Sequence, residues 1–242
     1  MTYCLGILLP SGLEMASDSR SNAGVDQVAL VKKLAIFELP SQRVIVVLSA
    51  GNLATTQAVV TGLRETAGNG RFGEDIHAAR SMFEVAQLLG AKLREVIARD
   101  GSFVQPFGDP NGTFLVGGQI VGEAPRLFQI YSAGNFVEAS DRSRFMQLGE
   151  TNGKPILDRA LTGNSTLDEA AKLSLLSFDA TLRSNLSVDA PIDLLRYAAD
   201  SFSARNFATL EKDDPYWMEL RRRYADGLSS LVASIPPPPV WG

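Results

Sequence analysis

The sequence predicts an α+β fold in which blocks of strands alternate with blocks of helices. Four strand-like runs come first, two helical stretches follow, and further strand signals precede a second group of helices. In a strand-helix-strand repeat, single strands would alternate with single helices, which this sequence does not show. No glycine-rich nucleotide-binding loop follows any strand either. We therefore expect two sheets packed face to face between helical layers. They would form a single domain over 1–242, with a C-terminal helix and proline-rich tail over 213–242.

Turn residues and a change of hydrophobic period mark the elements of the first half. Residues 3–9 and 13–18 flank Pro10-Ser11-Gly12 and predict a hairpin, and 34–39 and 43–49 flank a second turn. After Gly51 the spacing of apolar residues becomes helical over 54–63. A longer helix is expected over 75–99, with His77 in its first turn and Gly101 as its stop.

The second half begins with strands and ends with a helix. Strand signals occupy 113–120, 126–132, 135–139 and 144–148, separated by turns. Thr166 and Glu169 have the spacing of a capping box and open an amphipathic helix. Residues 191–197 then predict a closing strand, and 216–232 predict a final helix before the prolines at 236–239. The predicted order is thus strands, helices, strands, helices and a last strand and helix.

Composition and charge exclude several classes of function. The net charge of -4 gives no basic surface for nucleic acid, and no apolar run is long enough to span a membrane. One cysteine and one histidine cannot build a standard zinc site or an intramolecular disulfide, so we expect no metal, no cofactor and a cytoplasmic protein. Since a lone histidine near a helix start is typical of a surface position, we do not expect an imidazole base.

Thr2 is the candidate nucleophile. Removal of Met1 is favoured by the small side chain that follows it, and it would leave Thr2 with a free α-amine beside its own hydroxyl. An α-amine titrates near pH 8 and can act as a general base for that hydroxyl at physiological pH. The immediate start of a strand anchors Thr2 in a sheet, whereas a disordered terminus would not.

Two charged residues are expected beside Thr2. The predicted hairpin brings Asp18, at the end of the second strand, back to the first residues of the chain. Lys33 directly precedes the third strand, and its charge would lower the pKa values of the hydroxyl and amine of Thr2. Lys32 should point to the opposite strand face. We interpret Thr2, Asp18 and Lys33 as one site.

These motifs together resemble a proteasome β-type subunit. The resemblance rests on Thr2 at a strand start, Met-Ala-Ser-Asp-Ser-Arg at 15–20, Lys33, and Ser-Ala-Gly-Asn at 49–52. It is closer to the bacterial Anbu (ancestral beta subunit) branch, through the stretches at 23–26, 49–57, 148–150 and 153–156. The resemblance spans nearly the whole chain.

The resemblance implies a four-layer αββα sandwich of the N-terminal nucleophile hydrolase type. It implies a threonine-type peptidase that acts on peptide or protein substrates within a self-compartmentalising homo-oligomer. By position, Thr2 is similar to the nucleophile, Asp18 and Lys33 to the pair beside it, Gly51 to the residue whose N–H forms the oxyanion hole, and Ser187 to a supporting hydroxyl. No further propeptide is expected ahead of Thr2.

Two positions depart from the family pattern. Glu150 stands where a supporting serine is expected, and Ser184 stands where an aspartate is expected three residues before Ser187. Two alternatives therefore stay open. The chain could be a catalytically silent assembly subunit, or it could be an amidase of non-peptide substrates on the same fold.

Overall fold

The structure of the chain is a computed structural model that describes residues 2–22 and 28–239. Met1, the family-like stretch at 23–26, and Val240 and Trp241 of the expected tail lie outside the described residues.

The described residues form twelve strands, all paired antiparallel. In chain order the strands are β1 (Tyr3–Leu9), β2 (Gly12–Asp18), β3 (Arg20–Asn22), β4 (Val28–Leu30), β5 (Leu34–Leu39), β6 (Arg43–Gly51), β7 (Gly112–Ile120), β8 (Arg126–Ile130), β9 (Phe136–Glu138), β10 (Phe145–Gly149), β11 (Ile192–Ala198) and β12 (Phe207–Leu210). One five-stranded sheet has the order β10-β1-β2-β11-β12, and the other runs β5-β6-β7-β8-β9. Strands β3 and β4 form a separate two-stranded arm between β2 and β5.

Five helices accompany the sheets in the described part of the chain. They are α1 (Leu53–Thr66), α2 (Met82–Val104), α3 (Lys154–Ala160), α4 (Leu167–Ser184) and α5 (Pro215–Ser234). The capping box predicted from Thr166 and Glu169 is confirmed, and it satisfies backbone N–H groups at the start of α4. None of these helices, over 2–22 and 28–239, has the length and hydrophobicity needed to cross a bilayer.

Three groups of buried side chains hold these elements together. One group lies between the two sheets and includes Met15 of β2 and Val46 of β6. A second packs the sheet of β5–β9 against α1 and α2, and a third packs β1, β2 and β11 against α3, α4 and α5. The mixed α+β class expected from the sequence is thus confirmed, with two antiparallel sheets and helices packed on them.

The start and end predicted for the second long helix are wrong. Helix α2 begins at Met82, because the Asp75 carboxylate accepts the N–H groups of Gly68, Gly70 and His77 and holds this stretch in turns. His77 therefore lies in a turn ahead of the helix, where burial lowers its pKa. The helix also runs past Gly101 to Val104.

Several short elements were not predicted. The arm of β3 and β4, helix α3 and strand β12 have three to seven residues each and are too short to give a periodic signal. Because β12 pairs with β11, the strand predicted as the closing one lies inside its sheet, between β2 and β12.

Glu14 is a carboxyl group enclosed between β2 and α4. Its side chain is fully buried, its Oε2 accepts a 2.6 Å hydrogen bond from Ser174 Oγ, and its Oε1 has no partner among the described residues. Burial raises the pKa of Glu14 to about 8. The folded protein therefore holds this group protonated at neutral pH.

We expect this carboxyl group to destabilise the fold as the pH rises. An unfolded chain releases the Glu14 proton near pH 4.5, whereas the folded chain keeps it up to about pH 8. Over that window the free energy of unfolding falls by at most about 1.4 kcal/mol per pH unit. Urea unfolding at several pH values should show that the free energy of unfolding depends less on pH in Glu14→Gln than in the wild type. The exposed Glu38→Gln is the control, and equal slopes for Glu14→Gln and the wild type would contradict this expectation.

Candidate functional site

Thr2 lies at the buried start of β1. Only 9% of its surface is exposed, and its carbonyl oxygen accepts the N–H of Glu150 at 2.9 Å. Gly149 lies opposite Tyr3 in the neighbouring β10 with a φ of +77°. A Cβ at Gly149 would collide with the Thr2 carbonyl oxygen, so this close approach of the two strands requires glycine.

Asp18 lies beside Thr2, as the hairpin predicted. Its carboxylate is fully buried and accepts the N–H of Tyr3, the residue after Thr2, at 2.9 Å. The Lys33 ammonium donates to both of its oxygens, at 2.8 and 2.9 Å. Burial raises the pKa of Asp18, whereas the charge and hydrogen bonds of Lys33 lower it. The ionised carboxylate therefore depends on Lys33.

The two neighbouring lysines point in different directions. Lys33 is 7% exposed and directed at Asp18, and its carbonyl oxygen accepts the N–H of Ser49 on β6 at 3.1 Å. Lys32 is exposed, and its ammonium lies 4.7 Å from the centre of the Phe207 ring. The expected alternation across the strand start is therefore observed.

Gly51 ends β6 immediately ahead of α1. It has a φ of +108°, and a Cβ there would approach the Asn111 carbonyl oxygen to 2.6 Å, so the position requires glycine. Asn52 caps α1 through its side chain, which accepts the N–H of Thr55. These contacts fix the strand-to-helix turn that the sequence placed at Gly51.

The loop between α4 and β11 carries the remaining candidates. Ser187 is half-buried, and its N–H donates to Asn185 Oδ1 at 2.9 Å. Ser184 is exposed at the end of α4, where its hydroxyl donates to the Ala180 carbonyl oxygen. Within the described residues, hydrogen bonds thus join Glu150 to the Thr2 carbonyl oxygen, and they join Asp18 to Lys33 and to the Tyr3 N–H. The Ser184 hydroxyl and the Ser187 N–H donate within α4 and the loop after it.

Cys4 is a second nucleophilic side chain near this site. It is fully buried, and its thiol donates to the Ser49 carbonyl oxygen at 3.5 Å. Burial raises the pKa of this thiol well above its usual range. Cys4 is therefore a protonated packing residue that cannot compete with Thr2.

A cleft that the sequence analysis missed opens beside Lys33. Its volume is about 420 Å³, and it lies between the chain from Leu30 to Ala35, Ser49 of β6 and one face of α1. The α1 residues that line it lie one helical turn or less apart: Leu53, Thr56, Gln57, Val60, Thr61 and Arg64. The sequence shows that these residues share one face of the helix. It does not show that this face is turned to Lys33, because that depends on how α1 packs on the sheet. The described residues contain no group of three or more side chains suited to bind a metal ion.

Comparison with solved structures gives close neighbours. Anbu (ancestral beta-subunit) from Yersinia bercovieri is 44% identical, with a TM-score of 0.93 over 99% of this chain and 100% of that one. An Anbu (Gly-1) mutant from Hyphomicrobium sp. strain MC1 is 45% identical, with a TM-score of 0.91 over 99% and 100% of the two chains. The structure described as the helical assembly of the Anbu complex from Pseudomonas aeruginosa is 42% identical, with a TM-score of 0.93 over 98% of each chain. A scan of protein-family models and a search of curated proteins give no match.

Proposed function

This chain belongs to the Anbu (ancestral beta-subunit) family, and from that premise we propose that it is a threonine-type peptidase. Its nucleophile is Thr2, exposed by removal of Met1. The observation that carries the proposal is the buried ion pair of Asp18 and Lys33, which is hydrogen-bonded to the backbone N–H next to Thr2. A buried ion pair costs desolvation energy and is weak support for stability, so its place beside a nucleophile favours a role in chemistry.

The proposed reaction is acyl transfer through a threonyl ester. The Thr2 α-amine takes the hydroxyl proton, directly or through one water, and Oγ attacks the carbonyl carbon of the substrate amide. The tetrahedral intermediate collapses, the leaving amine takes up that proton, and an ester remains on Thr2. Water then attacks the ester, which releases the acid and restores the hydroxyl. Lys33 supplies positive charge beside the nucleophile, and Asp18 holds it in place.

Gly51 is the proposed donor to the oxyanion. The Ser49 N–H donates to the Lys33 carbonyl oxygen, on the β5 side of β6. Backbone N–H groups alternate along a strand, so the N–H of Gly51, two residues on, is directed to the same side beyond the start of β5. An N–H in this place can stabilise negative charge that develops at a bound carbonyl group.

The fold and the cleft support this assignment. Helices pack on the outer face of each sheet, and a third core lies between the sheets, which fits a four-layer αββα sandwich of the N-terminal nucleophile type in a single domain. The cleft of about 420 Å³ beside Lys33 and Ser49 offers room for a side chain of a peptide or protein substrate. The single cysteine agrees with a cytoplasmic location.

Two measurements on the purified protein test the proposal. Intact-mass spectrometry should show the loss of one methionine, since a retained Met1 leaves no free α-amine on Thr2. Incubation with a threonine-directed electrophile should then add one label per chain, located at Thr2 by peptide mapping. A retained Met1 would overturn the terminal-amine mechanism. Loss of Met1 without any label would favour the silent assembly subunit. The presence of Glu150 and Ser184, where the family pattern has a serine and an aspartate, supports that alternative.

We also propose that the chain forms a homo-oligomer. Its relative from Pseudomonas aeruginosa is described as a helical assembly. On α5, Trp217 is buried against α4, with its indole N–H directed to the Leu175 carbonyl oxygen, whereas later residues on the same stripe are exposed. These residues are Tyr224, Leu228 and Leu231. A second copy that covers this stripe would remove apolar surface from water.

Disruption of that stripe should weaken the assembly. We expect Leu228→Lys, and truncation after Ile235, to shift the protein towards smaller species in light scattering. Ser230→Lys, on the other side of the same helix, is the matched control and should leave the molar mass unchanged. A monomeric wild type would exclude the assembly, and an unchanged mass in both altered proteins would exclude the role of α5 and the tail.

A further inference from the structure

The main chain of Arg20 contacts both members of the buried ion pair. Its N–H donates to the Asp18 carboxylate, and its carbonyl oxygen accepts from the Lys33 ammonium at 2.5 Å. Arg20 is also the first residue of β3, at the base of the two-stranded arm. The position of this one peptide segment therefore sets where Asp18 and Lys33 lie.

The side chain of Arg20 is tied to a different part of the chain. Its Nη1 lies 3.3 Å from Asp189 Oδ2, and the two side chains are about one quarter exposed. Asp189 follows Ser187 by two residues in the loop between α4 and β11. The other oxygen of Asp189 accepts the N–H of Ala190 at 2.9 Å, which fixes the carboxylate on its own loop.

A third charge completes this contact. The Lys212 ammonium lies 3.6 Å from the same Asp189 oxygen that pairs with Arg20. Asp189, in the Ser187 loop, thus contacts both Arg20 at the base of the arm and Lys212 in the segment ahead of α5. Such partly exposed ion pairs add about 0–1 kcal/mol to stability. A larger effect of Asp189 on the site must therefore come from where it holds the Arg20 segment.

We propose that Asp189 is a positioning residue for the site. It holds Arg20 through its side chain, and through the main chain of Arg20 it fixes the Asp18–Lys33 pair against Thr2. It also keeps the Ser187 loop at a set distance from that pair. The inference rests on the proposed function, because the pair it positions is the one assigned to the reaction at Thr2.

The geometry explains why a carboxylate is needed there. Asp189 must accept from a backbone N–H through one oxygen and from two cations through the other. An asparagine can keep the first contact, but its amide carries no charge to hold Arg20. Asp189→Asn is therefore expected to weaken the contact that holds the Arg20 side chain to this loop and to loosen the segment that contacts Asp18 and Lys33.

The test compares Asp189→Asn with Asp189→Glu and a control. In Asp189→Asn the rate of electrophile addition at Thr2 should fall about tenfold, because small displacements of reacting groups have large effects on rate. The melting temperature should change little. Asp189→Glu, which keeps the charge, should recover most of the rate. Asp168→Asn removes the partner of Arg196 in another surface pair, and it should leave the rate unchanged.

A second readout does not depend on activity. Acylation of lysines by a small anhydride, followed by peptide mass spectrometry, measures how tightly Lys33 is held, with Lys32 as the internal reference. We expect Lys33 to react several-fold faster in Asp189→Asn and at the wild-type rate in Asp168→Asn. A wild type that takes up no electrophile would overturn the proposed function and leave this readout to decide the role of Asp189. An unchanged Lys33 rate in Asp189→Asn would overturn the positioning role.

Discussion

Thr2→Ala is expected to abolish hydrolysis and labelling by a threonine-directed electrophile, with the fold intact. The substitution removes the only atom of Thr2 that can form the ester. It keeps the backbone groups through which Thr2 is held, namely its carbonyl oxygen and the N–H of Tyr3. The measurements are the hydrolysis of a peptide substrate, the intact mass after labelling, and thermal unfolding.

Thr2→Ser is the matched variant for this experiment. It keeps the hydroxyl and the α-amine, so it should retain labelling at a reduced rate. Label that remains in Thr2→Ala would place the nucleophile elsewhere. Cys4 would be the first residue to examine, although its burial and raised pKa argue against it.

The sequence predicted best those parts of the fold that have clear local signals, such as turn residues and helix caps. The hairpin of β1 and β2 and the capping box of α4 are local features, so their residues and spacing are sufficient to predict them. The predicted start of α2 was wrong because one buried carboxylate, Asp75, stabilises turns where the apolar spacing suggested a helix. These hydrogen bonds are local, but they depend on the direction of one polar side chain and leave no periodic signal.

The candidate site shows the same division. The short hairpin predicted that Asp18 lies beside the chain start, and the position of Lys33 ahead of a strand predicted that it lies there too. In the structure both residues lie next to Thr2. The contact of Arg20 with Asp189 joins residues far apart in sequence, and nothing local to either residue indicates the other. The stretch at 23–26, which helped to identify the family, lies outside the described residues.

The substitution Lys33→Ala should reduce both activity and stability strongly. Removal of the ammonium leaves the Asp18 carboxylate fully buried with only backbone donors. Loss of one partner of a buried ion pair costs about 3–5 kcal/mol of stability. The rate of labelling at Thr2 should fall about 10²–10³-fold, the range seen when a charge-stabilising group is removed from an active site.

The pH dependence of Lys33→Ala should carry the signature of Asp18. Burial, no longer opposed by the ammonium, raises the pKa of Asp18 further, so the folded variant binds a proton that the unfolded chain releases. Its stability is then greatest in acid and falls as the pH rises past the ordinary range of an aspartate. Urea unfolding at several pH values measures this trend, and a stability that rises with pH would contradict it.

A second substitution separates the two effects of Lys33. Asp18→Asn in the Lys33→Ala background removes the unpaired charge and keeps an acceptor for the Tyr3 N–H, so it should restore much of the stability. It should restore none of the labelling, because the Lys33 charge beside Thr2 is still missing. Lys32→Ala is the matched control: its side chain is exposed over Phe207, and both measurements should stay at wild-type values. Equal losses in the two lysine variants would mean that the charge near Thr2 acts without a specific contact, and the assignment of Lys33 would fail.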